Sequence, residues 1–367
     1  MIRKFPYLNG VAITCVVLFH STGMGFVAMT SWAQRYGAVP GEQFGSIAYY
    51  YFRFIEQLVV FSIPIFLIVS GYFIGIASGK NKATLKWKVV FTRIYYLAIP
   101  YLIWSTIWIA LRFLEGKSLP PSRIVGMILT GQANEVYYFI PLLIQFYLLA
   151  PILIRWEKAN WKSLLAVTGI LQLFIAAIAY PIFLGRSTPF WTTLMLAFPK
   201  WLFTSRIFWF SLGIVLANHL QEFKQSFYPW RWWLLVGAFI CIFVGIFEWE
   251  LYFRLSGLDW LSYGETIVDS VYALAIILGL LAFENPQYPL FNFFSWVGPK
   301  SYGIYLVHAV VIEYLSRGIY HFAPGILGKQ SLYQPILIVA GLAIPIGLMA
   351  LIDRSPFRRF YPYLFGK

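Results

Sequence analysis

Charge is scarce in this chain. Only 11% of its 367 residues are Asp, Glu, Lys or Arg, against about a quarter in soluble domains, and 60% are hydrophobic. That deficit excludes a water-soluble fold. Cysteine is nearly absent too: Cys15 and Cys241 both lie in apolar runs, where a thiol serves as a small packing group, so no disulfide framework is implied. The signatures GxSxG, HExxH, GxGxxG and the P-loop are missing, as is any His, Cys, Asp and Glu spacing suited to a metal. We therefore expect no metal and no permanently bound cofactor. Internal repeats, low-complexity tracts and long flexible linkers are lacking as well.

What is present is a series of long apolar runs, with a mean hydropathy of +0.71. At 1.5 Å per helical residue, about 20 apolar residues cross a hydrocarbon layer about 30 Å thick. Candidate spans fall near 6 to 27, 54 to 77, 89 to 113, 136 to 154, 163 to 184, 207 to 220, 232 to 253, 266 to 283, 301 to 320 and 334 to 352. The expected fold is all-α, a polytopic membrane protein of about ten transmembrane helices in one integral-membrane domain over 1–367. A re-entrant or interfacial half-helix around Pro199 and Lys200 would precede the sixth span. The basic start MIRKFPYL has no small-x-small cleavage site after it, so it reads as the head of an uncleaved first helix.

Orientation follows from the basic residues. With the N-terminus inside, 17 of the 28 Lys and Arg and 4 of the 14 acidic residues fall on inner segments, which leaves +13 inside and +1 outside. Both termini are expected in the cytoplasm, and the protein in the cell (inner) membrane as a multi-pass chain. The net charge of +14 thus reports membrane topology and not nucleic-acid binding.

Ionisable groups inside spans are costly unless they face protein or water, which makes them functional candidates. His20 lies about 21 Å into the first span, past the midplane. An imidazole there either accepts a proton or attacks an electrophile, or else it is a core residue hydrogen-bonded across a helix interface. Ser301, Tyr302, Tyr305 and His308 recur at three- and four-residue spacing and share a helical face, which lines either a helix contact or an aqueous pocket. Ser70, Gly71 and Tyr72 close the second span, where glycine lets a helix or ligand approach. Lys86, Lys88 and Arg93 form a basic cluster suited to a phosphorylated cytoplasmic ligand, although positive-inside bias also places lysines there. Asp269 and Glu56 reach roughly the depth of His20 and are candidate carboxylates to orient it. His219 and His321 sit at span ends.

Five segments, in order, resemble one family, the integral-membrane acyltransferases of type 3. They are YLNGVAITCVVLFHS at 7–21, SIPIFLIVSGYFIG at 62–75, FTRIYYLAIPYLIW at 91–104, YYFIPLLIQFYLLAPIL at 137–153 and VGPKSYGIYLVH at 297–308. His20 falls on the histidine that ends the family's first motif. Two positions depart from the pattern: Asn9 and Tyr96 stand where the family usually has arginine, with Arg3, Lys4, Lys88 or Lys300 as candidate substitutes. No esterase-like domain is expected after the helices, unlike in fused members.

The resemblance implies transfer of an acyl group, commonly acetyl, from cytoplasmic acetyl-coenzyme A as co-substrate. The acceptor is a hydroxyl of a surface glycan, lipid-linked sugar or other envelope molecule. His20 would be the catalytic base or a transient acyl carrier. Arg93, Lys88, Ser70, Gly71, Tyr72, Ser301, Tyr302 and His308 would serve the donor or substrate. The competing expectations are a transporter or flippase for a glycan or its acylated precursor, and a structural or sensory membrane protein.

Overall fold

The computed structural model describes residues 4–79, 85–186, 188–257, 265–283 and 288–366. Arg3, Lys80, Lys82, Asp259 and Lys367 lie outside them, and nothing is described of the Lys4 side chain. The structure is 82% helix with no strand among the described residues. In chain order the helices are α1 (Lys4–Met29), α2 (Ile47–Val59), α3 (Ser62–Ser78), α4 (Trp87–Leu114), α5 (Pro121–Thr130), α6 (Phe139–Ile178), α7 (Tyr180–Phe183) and α8 (Pro189–Ala197). They are followed by α9 (Ile207–Phe227), α10 (Arg231–Ser256), α11 (Ile267–Leu281), α12 (Phe291–Val297), α13 (Ser301–Phe322), α14 (Gln330–Asp353) and α15 (Tyr361–Phe365).

Among the described residues six stretches are long and apolar enough to cross a membrane: Phe5–Met29, Ile47–Ser78, Trp87–Leu114, Phe139–Phe183, Arg231–Ser256 and Gln330–Asp353. The sequence leads one to expect ten. The difference has physical causes. Helix α11 is apolar but only 15 residues long, and α9 and α13 carry His219, Glu222 and Lys224, or Glu313 and Arg317, along their length. The fourth and fifth expected spans are one helix, α6, broken at Asn160 (φ −161°, ψ 92°), whose Oδ1 accepts the Ser163 amide and restarts the helix as an N-cap does. Pro199 and Lys200, around which a half-helix is expected before the sixth span, lie instead in the turn that follows the short helix α8.

Small residues set the closest packing. A Cβ on Gly71 would meet the Phe210 carbonyl, and one on Gly213 would meet that of Ile68, so α3 and α9 touch backbone to backbone. Gly10 and Gly298 bring the chain at 294–298 against the start of α1 in the same way. The starts of α1, α4 and α13 and the end of α3 thereby gather at one end of the bundle, called here the near end. At the far end Arg35 donates to the carbonyls of Tyr320 and His321, and Glu115 binds Arg112 and Arg317.

Between α5 and α6 the chain dips into the bundle. Tyr101, halfway along α4, donates to the Ile128 carbonyl. Tyr305 donates to Val136 O, and Tyr137 donates to Leu306 O at 2.6 Å. Non-helical backbone inside the bundle needs protein partners for its polar groups, and Tyr305 supplies one to Val136, while Tyr101 holds the last turn of α5 and Tyr137 ties the segment to α13. Residues 128–138 are thus a re-entrant segment wedged against α13, two residues short of His308.

Candidate active site

A cavity of about 340 Å³ opens among α1, α3, α4, α6 and α13 at the near end. Five of the residues singled out from sequence line it: Ser70, Arg93, Ser301, Tyr302 and Tyr305. Asn9 and Tyr96 line it too, so both departures from the family pattern fall on this cavity. The remaining lining is largely aromatic and aliphatic, including Phe66, Phe139 and Tyr147. Arg93 has no ion-pair partner among the described residues, and the buried Oδ1 of Asn9 has no hydrogen-bond partner. A guanidinium without a carboxylate, in an apolar aromatic chamber, suits an anionic ligand with a flat apolar part.

From this cavity two helices lead inward side by side. Asn9 and His20 are eleven residues apart on α1, about three turns at 3.6 residues per turn, and so lie on one face about 16 Å apart along the axis. Ser301 and His308 are about two turns apart on one face of α13 by the same rule. The two faces meet: the rings of His20 and His308 are 5.3 Å apart, centroid to centroid. Tyr305 stands between the chamber and this pair, lining the cavity while its ring lies 6.1 Å from that of His308.

The two histidines are differently held. His308 is fully buried, and its Nδ1 lies 3.0 Å from Ile304 O and 2.9 Å from Tyr305 O. Carbonyl oxygens only accept, so Nδ1 carries the proton, and in the neutral ring Nε2 is left as an acceptor. That Nε2 is buried with no hydrogen-bond partner among the described residues. His20 is half-buried, with Phe19 edge-on at 5.4 Å. The Thr22 hydroxyl, half a turn further along α1, accepts from Gln334 Nε2 at 2.7 Å and ties α1 to α14. The arrangement offers one imidazole of fixed tautomer beside another that is partly accessible.

The other predicted residues are placed elsewhere. Gly71 serves the α3–α9 contact, and Tyr72 packs on the Phe5 ring at 4.4 Å. Lys88 is exposed and outside the cavity lining, and Lys300 Nζ donates to the Trp296 carbonyl. The two carboxylates paired with His20 on grounds of depth have other partners. Glu56 accepts from Arg53 Nη1 at 2.6 Å. Asp269 accepts from Gln57 Nε2 at 2.8 Å and closes a capping box with Thr266. Depth along a helix says nothing of the direction in which a side chain points. His219 also has charged neighbours, Glu157 at 3.4 Å and Glu222 at 3.1 Å. Sequence reasoning missed Tyr101, Tyr137 and Tyr147, although all three stand in the segments it singled out.

The structure is thus an all-helical bundle in which a histidine pair lies inward of a chamber holding an arginine without a carboxylate partner among the described residues. The sequence profile of the acyltransferase domain, type 3, matches residues 5–350, and the chain belongs to that family. No curated protein and no solved structure matches it.

Proposed function

We propose that the protein is an O-acyltransferase that takes an acyl group, in the first place acetyl, from acyl-coenzyme A and places it on a hydroxyl of a surface glycan, lipid-linked sugar or other envelope molecule. In this reading the chain crosses the inner membrane ten times with both termini cytoplasmic, the near end facing the cytoplasm. The near-end cavity receives the coenzyme. Arg93 meets its phosphates, and the aromatic walls take its apolar and planar parts. The thioester reaches inward along the α1–α13 seam to the histidines.

The observation that carries the proposal is the contact between His20 and His308 directly inward of that cavity. In this mechanism His308 Nε2, which makes no hydrogen bond among the described residues at rest, takes one from a nitrogen of His20 as substrate binds, which leaves the other nitrogen of His20 as the base. That nitrogen removes the proton from the acceptor hydroxyl as its oxygen attacks the thioester carbonyl. The C–O bond forms, the C–S bond breaks, and the proton returns to the leaving thiolate to give free coenzyme thiol and the ester.

The test uses the full chain in lipid nanodiscs with labelled acetyl-coenzyme A. Thiol release that depends on His20, with label passing to an added glycan, supports the proposal, and label caught on the protein identifies an acyl-histidine relay. Movement of unmodified glycan across proteoliposomes without thiol release overturns it in favour of a carrier.

A further inference from the structure

A second, smaller pocket of about 110 Å³ lies between α6, α7, α8, the turn before α9, and the start of α11. It is remote from the chamber at the near end. Helix α6 restarts at Asn160 beside the near end, where Lys158 Nζ donates to the Gly79 carbonyl at 2.8 Å. Ile178, in the pocket wall, is eighteen residues further on, about 27 Å along the axis, so the pocket sits on the far side of the bundle.

The lining is apolar at Phe183, Phe198 and Ile175 and polar at Gln172, Lys200, Arg206 and Glu265. Gln172 is only 5% exposed, and its Oε1 is buried with no hydrogen-bond partner among the described residues. Such an oxygen calls for a ligand that donates. Lys200 calls for something more. It is exposed at the mouth of the pocket, and its carbonyl is pinned there by Arg206 Nη1 at 3.1 Å and Ser205 Oγ at 3.2 Å. An ammonium with three donors suits a phosphate oxygen.

A simple anion does not match the whole set. Arg206 directs Nε and Nη2 at one oxygen of Glu265, and both Glu265 and Glu135 act on the charge of Lys200. Two cations thus face two carboxylates, and a ligand with one charge of each sign keeps that balance. The surface outside the pocket identifies the rest of the ligand. Ile170, Leu173 and Phe174 on α6 and Phe190 and Leu196 on α8 are exposed, and α6 belongs to a stretch long and apolar enough to cross a membrane. An exposed apolar surface on such a span is covered by acyl chains.

We propose that this pocket holds the headgroup of a phospholipid with a primary amine, a phosphatidylethanolamine. The phosphate lies against Lys200, the ammonium donates to Gln172 Oε1 and to the second oxygen of Glu265, and the acyl chains run along α6 and α8. From outside to inside, the chain, phosphate and amine of the lipid match apolar surface, exposed cation and buried acceptor in the same order. The Phe183 and Phe198 rings add faces that attract a cation. The lipid is a resident of the fold and not a substrate, so the inference stands apart from the acyl-transfer reaction.

The experiment is native mass spectrometry of the full chain in detergent with equal amounts of phosphatidylethanolamine, phosphatidylcholine and phosphatidylglycerol. One phosphatidylethanolamine should be held about tenfold more tightly than either competitor, because choline has no N–H donor and glycerol no positive charge. Gln172→Leu, which keeps the volume and removes the acceptor, should erase that preference without lowering the unfolding temperature. Lys200→Gln should weaken all three lipids alike, since they share the phosphate. Tighter retention of phosphatidylglycerol would make the pocket an anion site and overturn the inference. Equal retention of the three lipids, or a preference that survives in folded Gln172→Leu, would overturn it too. Displacement by an equal concentration of phosphoethanolamine, which lacks acyl chains, would replace the lipid with a soluble ligand.

Discussion

Two groups of polar side chains lie within the helices of this bundle, and they are satisfied to very different degrees. Around Arg53 the charge is matched, though not every polar atom is hydrogen-bonded: the guanidinium has the Glu56 carboxylate at 2.6 Å and the faces of Trp249 and Phe26 at 3.3 and 4.2 Å, and Asp269 is held by Gln57 and its own capping box. Around His20 the matching stops short, because His308 is tied down at Nδ1 and left open at Nε2. Buried polar groups that are fully partnered hold helices together. A buried imidazole nitrogen left open beside a second, partly accessible histidine is free to take part in chemistry instead.

The largest effect should come from His20→Ala. Loss of a general base typically costs about 10²- to 10⁴-fold, so thiol release should fall by that order while the unfolding temperature stays within a degree or so. His308→Asn should act through kcat, by about ten- to a hundredfold, with the KM for the coenzyme unchanged and the pH profile displaced. A purely structural histidine would lower stability and leave that profile where it was.

Glu56→Gln tests the other side of the comparison. Stranding Arg53 without its carboxylate should cost about 3 to 5 kcal/mol of stability, read by chemical or thermal unfolding, with transfer per folded molecule little changed. If Glu56→Gln spared stability and abolished transfer, the roles of the two clusters would be reversed. Smaller again, Arg93→Gln should raise the KM for acetyl-coenzyme A about tenfold and leave kcat alone, and Asn9→Arg should lower that KM by adding a second cation to the same cavity.

The smallest effect concerns pH. At the far end burial pushes the Glu115 carboxyl up, but the Tyr314 hydroxyl and the guanidinium groups of Arg112 and Arg317 outweigh it and hold it at about 2, below its ordinary 4.5. A depressed carboxyl stabilises the fold above its unfolded value and loses that contribution as pH falls toward 2. The unfolding temperature should therefore drop between pH 4.5 and 2, and Glu115→Gln should flatten the drop, by about 1 kcal/mol at most for a partly exposed network.

Much of the helix framework was legible beforehand. The boundaries expected at 89 to 113 and 301 to 320 fall within two residues of α4 and α13, because apolar runs end where charge and interfacial aromatics begin. His20, Arg93 and Ser301 were legible as polar exceptions in apolar surroundings. The re-entrant segment was not, since residues 128–138 carry no signal of the depth at which tyrosines on α4 and α13 receive them. Gly71 illustrates the same gap: its spacing allowed either a ligand or a helix to approach, and only the position of the Phe210 carbonyl decided for the helix.

Composition and pattern by themselves determined that the chain is a helical membrane protein and which segments cross apolar surroundings, because hydropathy and helical rise are local properties. Only the tertiary structure decided which polar groups face one another. It joined His20 to His308, gave Glu56 to Arg53, and put Asn9, Tyr96 and Arg93 on one cavity. Such pairings depend on the rotation of each helix about its axis and on the neighbours it packs against, and no single helix's sequence fixes either.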